Sequence, residues 1–345
     1  MSDKRLNSTV NPLQKKVVIV PMSGATLLHF SGPVDVFTNA NRCLSLLGSA
    51  PGYEVILASP TSDRRIPTLA GAQLSCTYSV QDILSPIDIL IIAGNDFNSL
   101  SRAQYADLCK WISALHEKGD NRIASVCGGA FVLAEAGLLN GKKATTHWQL
   151  RERLKKEYPL VEVNTDPFYT GDGRIYTSGG VSSGIDLALA LVEEDYGKDL
   201  AIQVARRLVF YLSRSGSQSQ FGNLLPQYES TNVAYKITEW LKGNLSGAID
   251  VTKMAEYLNM SPRNLNRVFN REIGLPPSKF MEKLRVEMAR KYLEDTDMPI
   301  ENIADKCGLS NLVTMRRIFL RHLKVTPSDY RRAFRTSLHA APSSI

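Results

Sequence analysis

The run Ala124-Ser-Val-Cys127-Gly128-Gly129-Ala-Phe131, followed by Thr145-Thr-His147-Trp148, contains the ingredients of thiol chemistry. A strand ending at Val126 and a helix beginning near Ala130 would bend at Cys127. That turn would expose the sulfur beside helix N–H groups, which lower a thiol pKa and can hold an oxyanion. Nucleophilic catalysis further needs a base within about 2.6–3.2 Å of the nucleophile and a group that orients the base. His147 is the nearby candidate, although spacing alone fits a surface histidine equally well. A lone cysteine is also commonly a small buried hydrophobe. Cys127 and His147 are thus candidates for catalysis or for ligand contact.

A second chemistry lies downstream, where Arg263, Asn266, Arg267, Arg316 and Arg317 stand between apolar residues spaced i, i+3, i+4. Arginine pairs bidentately with guanine and asparagine with adenine, each worth about 1–3 kcal/mol of discrimination. Val313 could meet a thymine methyl. A plain helical bundle explains the apolar spacing as well, but not the basic and amide residues set between it.

These residues need elements to hold them. At 345 residues the chain suits two domains. Its 43% apolar and 22% charged content is that of an ordinary soluble protein. From Pro226 onward there are 19 Lys/Arg against 13 Asp/Glu, so almost all of the net charge of +7 belongs to the C-terminal third. That asymmetry suggests a polyanion partner, while a charge run by itself also suits a solvated face. Five scattered cysteines point to reduced thiols and a cytoplasmic setting. The N-terminus lacks an apolar signal core, and no run approaches the roughly 18 apolar residues of a membrane span. No metal site and no cofactor are expected.

Val17–Val20, Tyr53–Ala58, Asp88–Gly94 and Ile123–Val126 read as buried strands, with helical patterns over Gly32–Asn41, Arg102–Glu117 and Ala130–Leu138. The alternation predicts an α/β fold with a mostly parallel sheet covered on both faces. Ligands of such sheets gather at the carboxyl ends of the strands, which is where Gly94, Asn95 and Cys127 fall. Gly180 to Asp186 opens a further helix, whose serines could cap it and whose acid suits the first turn.

The stretch RSGSQSQFGNLLPQYEST, starting at Arg214, reads as a linker. Beyond it the chain repeats: Arg267, Phe269, Pro277, Ser278 and Phe280 return fifty residues later as Arg317, Phe319, Pro327, Ser328 and Tyr330. Each copy holds a helix, a tight turn and a second helix. Asn259 and Gly308 suit the turns, Ala255 and Ala304 are small where helices cross, and Ser261 suits a cap. An all-α domain with two helix-turn-helix units is predicted, the second helix of each entering a major groove.

Residues from about Val17 to Phe221 resemble the DJ-1/PfpI-like (flavodoxin-like) domain of the glutamine amidotransferase-like superfamily, in the branch fronting two-domain regulators of GlxA type. The motifs are VCGGAFVLAEAGLLNGKKATTHW, IYTSGGVSSGIDLALALVEEDYG and ARRLVFYLSRSGSQSQF. The resemblance makes Cys127 the residue of the nucleophile elbow, His147 its neighbour and Gly94-Asn95 the facing loop. Enzymes of the superfamily place an acid where His29 stands, and its proteases a histidine where Gly128 stands. The departures imply a retained pocket of Cys127, Gly128, His147, His29, Gly94 and Asn95 that binds an effector, with Cys127 and His147 as vestiges of catalysis.

Residues from about Asn244 to Phe334 resemble the AraC/XylS family DNA-binding domain, through GLPPSKFMEKLRVEMARKYLEDTDMPIENIADKCGLS and VTPSDYRRAF. Helices over Pro262–Glu272 and Asn311–Arg321 would then occupy successive grooves, bridged by Ser278–Leu293. The family usually has phenylalanine at Leu309 and glycine at Lys324. The resulting expectation is a sensing and dimerisation domain over 13–213, a linker and connecting helix over 214–243 and a DNA-binding domain over 244–336. The protein would be a cytoplasmic, homodimeric regulator of double-stranded DNA, answering a small-molecule effector, an activator in contact with RNA polymerase. The competing readings are a cysteine hydrolase or hydratase tethered to DNA, and a thiol redox sensor.

Overall fold

Val17 to Val20 are wholly buried, as a strand covered on both faces must be. A computed structural model describes residues 14–84, 86–94, 102–164, 166–212, 214, 217–226, 228–229, 232–242, 244 and 249–335. It divides into two compact units, Met1–Arg214 and Ser215–Ile345.

In the first unit the elements follow as β1 (Lys15–Pro21), α1 (Leu27–Leu46), β2 (Tyr53–Ser59), β3 (Arg65–Pro67), β4 (Gln73–Ser75), β5 (Tyr78–Ser79) and β6 (Ile89–Ala93). Then come α2 (Ala106–Lys118), β7 (Arg122–Val126), α3 (Gly129–Glu135), β8 (Lys143–Ala144), α4 (Arg151–Glu157) and β9 (Glu162–Val163). The unit closes with β10 (Tyr169–Asp172), β11 (Ile175–Ser178), α5 (Ser183–Tyr196) and α6 (Lys198–Arg207). One seven-stranded sheet runs β10-β11-β7-β6-β1-β2-β5. Every pairing in it is parallel except the β10–β11 hairpin. The strand period of two sorts the core. Val18, Val20, Leu90 and Ile92 pack with Ile112 of α2 and Phe131 of α3. Val17, Ile19, Ile89 and Ile91 pack on the other face with Phe37 of α1, Leu187 of α5 and Val204 of α6.

The sequence pattern placed strands at β1, β2, β6 and β7, and missed β11, where Ile175–Ser178 has only one large aliphatic residue. The α1 helix begins earlier than its apolar pattern, because Thr26 and His29 bond across the first turn.

The second unit is helical: α7 (Val233–Lys242), α8 (Val251–Tyr257), α9 (Pro262–Glu272), α10 (Pro277–Asp295), α11 (Ile300–Lys306), α12 (Leu312–Leu323) and α13 (Pro327–Phe334). Two cores form, one per copy of the repeat. Ala234, Ile237 and Leu241 of α7 pack with Met254, Ala255, Leu265, Phe269 and Phe280. Ala289, Leu293, Ile303, Ala304, Met315, Phe319 and Tyr330 make the other. The long α10 contributes its first half to one core and its second half to the other. The polar stretch after Arg214 is not loose where it is described. Gln218 and Gln220 are buried, and residues 217 to 226 and α7 belong to this second unit. Among the described residues no helix is long and apolar enough to cross a membrane.

Turn chemistry follows the repeat. Asn259 (φ 54°) and Gly308 (φ 64°) both take the left-handed conformation between their helices. So does Lys324 (φ 60°), just after α12. A side chain in that conformation costs roughly 1–2 kcal/mol, whereas glycine gives back about 0.5–1 kcal/mol in unfolded-chain entropy. The first effect is the larger. Lys324→Gly is therefore expected to stabilise the helical unit by about 0.5–1 kcal/mol, seen as a higher urea midpoint with unchanged slope.

Candidate functional site

The parallel register brings four strand ends level. Pro21 pairs with Ala93, Ala93 with Val126, and Val126 with Ser178. Cys127 is the next residue, and its backbone bends into the left-handed region at φ 56°. Its N–H donates to the Ser178 carbonyl at 3.0 Å, and its own carbonyl accepts from the Thr146 hydroxyl at 2.8 Å. Gly94 donates its N–H to the Val126 carbonyl at 3.1 Å. A Cβ on Gly94 would overlap the backbone of Gly128 and Gly129, and one on Gly129 would overlap the Ile92 carbonyl. Two backbones meet here with no room for a side chain. Strain of this kind gathers at functional sites.

The expectation of an exposed sulfur is corrected: Cys127 is only 6% exposed. All five cysteines are buried and none is in a disulfide. Burial pushes the thiols of Cys109 and Cys307 up to about 11, so these two are poor partners for thiol oxidation.

His147 caps a short turn over Trp148–Leu150, where its Nδ1 accepts the N–H of Gln149 at 3.2 Å. Its ring lies beside Gly180, which has no side chain to obstruct it. His29 is on the first turn of α1 and is 3% exposed. Its Nδ1 accepts the N–H of Thr26 at 3.1 Å, while its Nε2 is buried with no hydrogen-bond partner among the described residues. Burial, and then the neighbouring His147, pull its pKa down to about 4. Gly94 and Gly128 thus meet at the Cys127 turn and His147 neighbours His29, while Asn95 lies outside the described residues.

Sequence reasoning missed Arg214. It donates from Nε to Asp186 at 3.0 Å and from Nη1 to the Ser182 hydroxyl at 3.2 Å, and it lies 4.4 Å from the ring centre of Phe168. Ser182 faces this guanidinium and makes no cap to its helix. The carboxyl of Asp186 is pushed up by burial, an effect Arg214 only partly offsets. A single arginine at the end of an apolar run carries no sequence signal of such a partner.

In the helical unit, α9 and α12 present the same pattern. Leu265, Val268 and Phe269 are buried on one, Met315, Ile318 and Phe319 on the other. Arg263 and Arg267 are exposed on α9, Arg316 and Arg317 on α12, and Val313 is 77% exposed. Asn266 is half-buried and its amide donates to the Pro262 carbonyl at 2.9 Å. Ser261 and Asn311 cap the two helices through the N–H groups of Asn264 and Thr314.

The DJ-1/PfpI family pattern matches residues 15–194, more than half of the chain. The protein belongs to the DJ-1/PfpI family. A helix-turn-helix domain pattern matches residues 254–333, so the chain joins a DJ-1/PfpI domain to a C-terminal helix-turn-helix domain, as GlxA-type transcriptional regulators do. It is 26% identical over 252 residues to the HTH-type transcriptional regulator GbdR of Pseudomonas aeruginosa, an alignment covering 71% of this chain and 66% of that protein. It is 26% identical over 298 residues to the HTH-type transcriptional regulator GlxA of Rhizobium meliloti, covering 86% of this chain and 90% of that one. Isonitrile hydratase of Pseudomonas putida is 41% identical over 88 residues, but this covers only 26% of this chain and 37% of the enzyme. Likeness across both units is to regulators, and likeness to that enzyme is local.

The lowered pKa of His29 has a consequence for stability. The unfolded chain takes up this proton near pH 6.5 and the folded protein only near pH 4. The neutral ring's contribution is complete above about pH 6.5 and is lost as pH falls toward 4. His29→Gln keeps an acceptor for the Thr26 N–H and removes the titration. Between pH 7 and pH 5 the variant should lose about 2 kcal/mol less stability than the parent, measured by urea unfolding at each pH.

Proposed function

We propose that the protein is a cytoplasmic, sequence-specific regulator of transcription of the AraC/XylS type. It binds double-stranded DNA as a homodimer, with α9 and α12 in successive major grooves. The observation that carries this reading is the matched exposure of Arg263 and Arg267 on α9 and of Val313, Arg316 and Arg317 on α12, above identically buried apolar faces. A bundle stabilised for its own sake has no use for two copies of that surface. Asn266 reads a base once its amide leaves the Pro262 carbonyl. The pocket of Cys127, Gly128, His147, His29 and Gly94 takes a small-molecule effector, and contact with RNA polymerase makes the protein an activator.

Basic residues on both helices reach phosphates as well as bases, so counterion release governs affinity. Selection from random duplexes with the full chain supplies an operator. On it, the logarithm of affinity should fall linearly with the logarithm of salt, by about 0.9 per phosphate contacted. Arg267→Ala and Arg317→Ala should each cost about 1–3 kcal/mol and relax preference in different parts of the site. Dimers should favour paired sites about 34–36 Å apart or multiples of that. An affinity indifferent to salt and to the double substitution would sink the DNA-binding reading.

A further inference from the structure

The unpartnered nitrogen of His29 defines what the pocket must receive. Its Nδ1 accepts a backbone N–H, that of Thr26 at 3.1 Å. A ring nitrogen that accepts carries no proton, so the hydrogen of the neutral imidazole is on Nε2. That Nε2 is buried and, among the described residues, has no acceptor. A buried N–H left unpaired costs about 1–3 kcal/mol, on a ring already 97% out of solvent at 3% exposure. Helix α1 needs only the Nδ1 side of the ring for its first turn.

Helix α1 runs beside the Cys127 turn. A Cβ on Gly184 would meet Val126 at 3.1 Å and Pro33 at 3.4 Å, so α1 packs beside the residue that precedes Cys127. Pro33 is one helical turn beyond His29 and on the same face. Phe30 and Cys127 share one buried cluster. Among the described residues the charge that acts on His29 is that of His147, and no carboxylate is among the causes of its lowered pKa. This end of the pocket offers a hydrogen atom. It suits an oxygen lone pair and repels an ammonium group.

We propose that His29 Nε2–H is the donor that fixes the effector, by a hydrogen bond to a carboxylate or carbonyl oxygen placed at the Cys127 turn. This rests on the effector-pocket reading above and adds the ligand's chemical class and the residue that selects it. Contact with Cys127 is then van der Waals packing, and no bond to sulfur forms.

The test uses the full-length protein with 15N-labelled histidine, titrated with three small three-carbon probes: propionate, acetone and propylammonium. Without any probe, the His29 ring should show the Nε2–H tautomer at neutral pH. Propionate or acetone should shift its Nε2 resonance saturably, and propylammonium should not. Two variants keep an acceptor for the Thr26 N–H while changing the far end of the side chain. Their propionate binding is read by titration calorimetry, since the reporting ring is gone: His29→Gln retains a donor there and should retain binding, and His29→Glu offers only acceptors and should lose it. An Nδ1–H tautomer, a saturable propylammonium response, or silence toward both oxygen probes overturns the proposal. None of these outcomes touches the salt and arginine dependence of DNA binding, which stands or falls separately.

Discussion

The first unit depends on one close approach of two backbones. The end of β6 and the start of α3 come so near at Gly94 and Gly129 that neither residue has space for a Cβ. Cys127 completes the approach by taking φ 56°, a conformation that costs an ordinary residue roughly 1–2 kcal/mol. The cost is offset by a register that levels the strand ends and by hydrogen bonds to Cys127 from Thr146 and to Ser178. The histidines and the thiol occupy the only kind of place where such a sheet leaves room, beyond its carboxyl edge.

In the helical unit the corresponding constraint is a buried charge. Arg290 of α10 is 8% exposed. It donates to the carbonyls of Gly222 at 2.6 Å and Gln220 at 3.0 Å, to the Tyr330 hydroxyl at 2.8 Å, and to Glu287 at 3.2 Å. A guanidinium out of water demands such a full set of acceptors. Glu287 in turn accepts the N–H of Leu224, and Phe221 meets Phe334 edge to face at 5.2 Å. One side chain thereby fastens the segment after the first unit to α10 and α13. A stretch rich in serine, glutamine and glycine is held through its backbone carbonyls, which composition does not report.

That contrast explains what was legible in the sequence. The buried strands declared themselves because short apolar runs such as Ile89–Ala93, each ambiguous alone, alternate with helical patterns. The repeat declared itself because Phe269 and Phe319 fill equivalent places in equivalent cores. Asn259 and Gly308 were readable because few residues tolerate a left-handed turn. The Arg214–Asp186 and Arg290–Tyr330 contacts join residues 28 and 40 apart in sequence, with no periodicity to announce them. The burial of Cys127 was illegible for a related reason, since Ser178 and Thr146, which bind its backbone, come from far along the chain.

In His29 the Thr26 N–H occupies Nδ1, so the neutral ring carries its proton on Nε2. A general base must present an unprotonated nitrogen to the group it activates, and this ring presents an N–H at its far end. A carboxyl in the place of His29 could give or accept a proton, whereas an imidazole tethered at Nδ1 has only a hydrogen to offer.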